Sequence, residues 1–70
     1  MRILTQRLRK AMSERGIERS ELANGTGFSL TAVNSWYSGD RTPNAESIRE
    51  ICKVVGVSAD YLLGLKETMI

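Results

Sequence analysis

Glycine punctuates this chain. Gly16, Gly39, Gly56 and Gly64 each follow a short run in which apolar residues recur at spacings of three and four, the period of one helical face. Before Gly16, Leu4, Leu8, Ala11 and Met12 share such a face while Arg2, Gln6, Arg7, Arg9 and Lys10 lie largely on the solvent side. Leu22, Ala23 and Thr26 mark a second run. Val33, Trp36 and Tyr37 mark a third, starting from Ser29, whose hydroxyl can accept a bond from an unpaired backbone N–H. Pro43-Asn44 introduces a fourth, where Ile48, Ile51, Cys52 and Val55 form the clearest stripe, and Ser58 caps a brief fifth from Ala59 to Leu63. No stretch alternates as a strand would. The pattern predicts an all-α fold, a compact bundle of five short helices over residues 1–64, with residues 65–70 as a C-terminal tail prone to fray.

A chain of 70 residues forms one domain near the lower limit of a self-supporting core, so its 41% apolar content is largely committed to packing. A deep pocket is not expected. No run approaches the ~18 apolar residues of a membrane span, and Ile3-Leu4 is too brief for the apolar part of a signal peptide. A cytoplasmic protein with no membrane partner is the expectation. One cysteine, Cys52, permits no internal disulfide, and the absence of histidine removes the zinc-ligand sets and the acid–base pairs on which catalysis usually rests. Neither a metal, a cofactor nor enzyme activity is expected. The net charge of +2 is a mild bias, so what matters is where the ten basic residues lie.

Between the second and third helices stand only Gly27, Phe28 and Ser29. So short a link makes the helices cross steeply, and such a bend calls for a residue at positive φ, which glycine adopts without a Cβ penalty. Gly27 fills that role, Ala23 supplies the small side chain that a close crossing needs, and Phe28 and Val33 fill the angle. The arrangement is a helix-turn-helix. Beyond it, Thr31, Asn34, Ser35 and Ser38 share one face of the third helix, opposite Val33 and Trp36. Short polar groups suit base edges: Asn34 can pair with adenine N6 and N7, Thr31 and Ser35 with most bases, and Leu30 can meet a thymine methyl. Taken alone, the same residues read equally well as a solvated face, and Leu30 is spaced to pack inward as well as outward.

Three strings in order, Leu22-Ala23 with Gly27-Phe28-Ser29, Val33 with Trp36, Gly39, Arg41 and Pro43, and Val54-Val55-Gly56-Val57-Ser58 with Asp60-Tyr61-Leu62-Leu63, resemble the phage repressor and Cro DNA-binding domain, the XRE-type, lambda-repressor-like helix-turn-helix. The resemblance implies a third helix that enters the DNA major groove, in one half of a homodimer on a palindromic operator. It implies base contacts at Leu30, Thr31, Asn34 and Ser35, and a dimer contact around the fifth helix, at Ala59 and Leu62. It further implies a bacterial or phage-encoded transcription regulator, a repressor by analogy, whose partner is double-stranded DNA.

No lysine or arginine occurs from Glu21 to Asp40, so phosphate contacts must flank the reading helix. Arg19 and Arg41 are best placed, with Ser29, Ser38 and the N–H groups that open the third helix as neutral partners. Arg7, Arg9, Lys10 and Arg15 read as ordinary solvated surface. Glu18 stands where the family tends to carry a serine or threonine cap, and Gly25 costs roughly 1 kcal/mol inside its helix, so the second helix is expected to be the softest. Met12 and Tyr37 occupy positions where many relatives carry an arginine–glutamate pair, and a sulfur–aromatic contact is the expected substitute. The rival to a DNA-reading role is a protein-interaction module, such as an antitoxin acting mainly through a partner polypeptide.

Overall fold

Five helices account for most of the computed structural model, which describes residues 1–70: α1 Arg2–Arg15, α2 Arg19–Thr26, α3 Leu30–Ser38, α4 Ala45–Val55 and α5 Ala59–Leu62. α1 packs across α3, α4 and α5, and α2 bridges α3 and α4. Every helix contributes to one core: Leu4 and Leu8, Leu22, Val33, Ile51, and Leu62 are all fully buried, each worth about 1.5–3 kcal/mol by removal from water. Phe28 meets Trp36 edge-on at a centroid distance of 5.3 Å and closes the angle between α2 and α3.

The helix starts are set by side chains. Ser29 Oγ accepts from Ala32 N (3.1 Å), Asn44 Oδ1 from Ser47 N (2.8 Å) and Ser58 Oγ from Tyr61 N (3.1 Å). At α2 the residue expected to cap poorly, Glu18, is served from three positions on: Glu21 Oε1 accepts from the Glu18 backbone N–H at 3.1 Å. The link between α2 and α3 is equally local. Gly27 lies at φ +80° and its N–H donates to Ala23 O (3.0 Å), while Thr26 Oγ1 donates to Leu22 O at 2.7 Å. α2 and α3 are thus separate helices joined by a left-handed residue.

Gly25 has a role beyond its cost to helix propensity. A Cβ built there would lie 2.9 Å from Val54 Cγ2 and 3.0 Å from Cγ1, so the absence of a side chain is what lets α2 seat against α4. The stripe on α4 also divides: Ile51 and Val55 are buried, whereas Ile48 and Cys52 are only half-buried and border a groove.

Two expectations about the surface are corrected. Arg7 is not a solvated residue: its side chain is 15% exposed, its guanidinium lies 4.5 Å over the Tyr61 ring, and it donates to Tyr61 O (3.0 Å), Lys66 O and Glu67 Oε2 (3.1 Å). Five N–H donors in one plane allow it to hold several acceptors at once. The segment 65–70 is accordingly tied back: Leu65 N donates to Asp60 O at 2.8 Å, Ser58 N donates to Met69 O at 2.7 Å, and Met69 packs on the core. Leu65 and Ile70 remain exposed.

Candidate nucleic-acid interface

α3 offers an uncharged polar face bounded by cations from other helices. Thr31, Asn34 and Ser38 are exposed and Ser35 half-buried, while Val33 and Trp36 on the far side anchor the helix in the core. Leu30 stands with 48% of its surface exposed, at the start of this face and not in the interior. The hydroxyls differ in what they have left to offer. Ser35 Oγ donates to Thr31 O (3.1 Å), and Ser38 Oγ donates to Ser35 O (3.2 Å) and accepts from Asp40 N (3.4 Å). Their protons are engaged with their own helix, which leaves oxygen lone pairs outward. The Ser29 oxygen is used as a cap, so its proton is the free group.

Arg19, at the start of α2, reaches across to α3. Its Nη1 donates to Asn34 Oδ1 at 3.4 Å and its guanidinium lies 4.7 Å over the Tyr37 ring. Arg9 of α1 lies 5.0 Å over the same ring and donates from Nε to Tyr37 O at 2.6 Å. Arg9, expected in solvent, is therefore pinned to α3. Two guanidiniums thus lie over the ring of Tyr37, the expected partner of Met12, and Met12 itself is 2% exposed in the core. Met12, Arg19, Leu30, Asn34 and Tyr37 border an open groove of about 620 Å³ beside the polar face.

At the C-terminal end of α3 lies a hollow of about 420 Å³ bordered by Arg2, Thr5, Arg9, Ser38 and Gly39. Arg41, exposed in the next loop, is held nearby by its backbone N–H, which donates to Ser35 O at 3.2 Å. Cations thus gather along the C-terminal half of an uncharged helix, Arg19 at Asn34 and Tyr37, Arg9 at Tyr37, and Arg2 and Arg41 near Ser38. The sequence pattern does not assign Arg2 and Arg9 to this surface: their spacing of seven places them on one face of α1, but nothing local says that this face meets α3.

Leu62, expected at a dimer contact, is fully buried and presents no surface. α5 is a single turn whose Tyr61 and Leu62 both enter the core, so Leu63 takes the outer position. With Ala59 it borders a groove of about 560 Å³ formed with Ala45, Ile48 and Cys52 of α4. Burial pushes the Cys52 thiol above its ordinary pKa and keeps it protonated.

The family described as Cro/C1-type HTH DNA-binding domain matches residues 7–67. The chain is also 32% identical over 62 residues, 89% of its length, to the HTH-type transcriptional activator BcrR of Enterococcus faecalis. It spans 30% of that relative.

Proposed function

The chain belongs to the Cro/C1-type helix-turn-helix DNA-binding family, and on that premise we propose that it is a sequence-specific regulator of transcription whose α3 reads the major groove of double-stranded DNA. The observation that carries the reading is the exposed face of Thr31, Asn34 and Ser38, uncharged and bordered by Arg19 at Asn34 and Tyr37, with Arg2, Arg9 and Arg41 near its C-terminal end. Cations at the flanks suit phosphates, and short neutral groups at the centre suit base edges. Leu30, Thr31, Asn34 and Ser35 contact bases. Arg19, Ser29, Ser38 and Arg41 contact the backbone, with Arg2 added from the structure.

The functional unit on DNA is a homodimer on a palindromic operator, its reading helices about 34 Å apart in successive major grooves. The shared contact runs through Ala59 and Leu63 and the groove beside them. Occupying a promoter, the homodimer represses by exclusion. The relative's designation as an activator belongs to a chain about three times as long. Binding sites selected from random duplexes, followed by footprinting across a salt series, test the proposal. A two-fold symmetric motif with log affinity falling linearly against log salt is expected, at a slope of about 0.9 per phosphate contacted. Copurification with a second polypeptide and no selected motif would establish the protein-interaction reading instead.

A further inference from the structure

We propose that Arg19 is a specificity-determining residue, which holds the amide oxygen of Asn34 and so turns it from a reader of adenine into a reader of guanine. The inference rests on the assignment of α3 to the major groove. Its first premise is chemical: a guanidinium has only donors, so of the two ends of the Asn34 amide only Oδ1 can face it. The contact of 3.4 Å from Arg19 Nη1 therefore fixes the amide orientation, with Nδ2 and its two protons directed away.

The second premise is that Arg19 is held in place. Its guanidinium rests 4.7 Å over the Tyr37 ring, three residues along α3 from Asn34, and Tyr37 is itself pinned by Arg9, over the ring at 5.0 Å and bonded to the backbone carbonyl at 2.6 Å. α1, α2 and α3 thus converge on the Tyr37 ring, and Arg19 links that ring to the Asn34 amide. Asparagine reads adenine by accepting from N6 while donating to N7. Here the accepting atom faces a cation, and an adenine amino group brought to it would meet further N–H donors. The Nδ2 protons and the remaining Arg19 donors form an edge of one polarity, and guanine, with acceptors at both N7 and O6, is the base that matches it. The other N–H groups of Arg19 remain available to a phosphate.

Site selection and competition binding with the unaltered chain, R19A, R19K and N34A separate the possibilities, with thermal melts confirming that each variant folds. The unaltered chain should select guanine at one position of each half-site, and N34A should lose preference at that position alone. R19A should move that position to adenine, changing the guanine-to-adenine affinity ratio by about tenfold. R19K, which keeps the charge but not the planar fork, should keep the salt slope while losing most of the guanine preference. If R19A weakens binding to every sequence equally and leaves the motif unchanged, Arg19 acts on phosphate alone and the inference is wrong. Selection of adenine by the unaltered chain overturns it as well. The absence of any motif would instead defeat the DNA-reading assignment on which it rests.

Discussion

Two glycines two positions apart are required for different reasons, and substitution distinguishes them. At Gly25 the backbone is helical and the obstacle is Val54, 2.9 Å from where a Cβ would stand. Gly25→Ala gains about 1 kcal/mol of helix propensity but overpacks the α2–α4 contact at a cost of about 1–3 kcal/mol, because a β-branched side chain has little room to turn aside. A lowered melting temperature is expected, and a raised one would show that Val54 yields. At Gly27 nothing lies within 4 Å of the added carbon and the obstacle is φ of +80°. Gly27→Ala should cost about 1–2 kcal/mol, a fall of several degrees in the melt of a domain this small, and Gly27→Asn should cost less, since asparagine tolerates that conformation. Equal melts for Ala and Asn at position 27 would contradict a conformational origin.

Among the elements, the helix-turn-helix was legible because its determinants are local. Gly27, the Ser29 cap and the spacing of Val33 and Trp36 lie within ten residues of one another, and the structure builds α2 and α3 from them. α5 was less legible for a physical reason. One turn of helix carries too few residues for a period to show, so nothing in the chain distinguished Leu62, which is buried, from Leu63, which is not. Arg7 illustrates the same limit over distance: its partners Tyr61 and Glu67 lie 54 and 60 residues away, and such contacts leave no mark on local pattern. Its ion pair with a largely exposed Glu67 contributes little; the two backbone carbonyls hold the segment. Arg7→Lys keeps the charge and loses the fork, so amide exchange at Ser58, whose N–H bonds Met69 O, should accelerate relative to the amides of α3. Unchanged protection at Ser58 would mean that the tail is held by Met69 packing without Arg7.

At the scale of the molecule, burial divides the surface into faces with different chemistry. The core takes one stripe from every helix, which leaves α3 to present hydroxyls and an amide on one side and α4 with α5 to present a shallow apolar groove on another. The even balance of charge concealed this division, since +2 for the whole chain says nothing about arginines from α1, α2 and the loop after α3 gathering along the C-terminal half of one helix. Whether the α3 face meets nucleic acid is decided by titrating isotope-labelled protein with a selected duplex and following every backbone amide. The largest perturbations are expected on residues 29–38 and on Arg2, Arg19 and Arg41, with smaller changes at Ala59 and Leu63 as copies pair on the DNA. Perturbations centred on residues 45–63, with the amides of α3 unmoved, would contradict it.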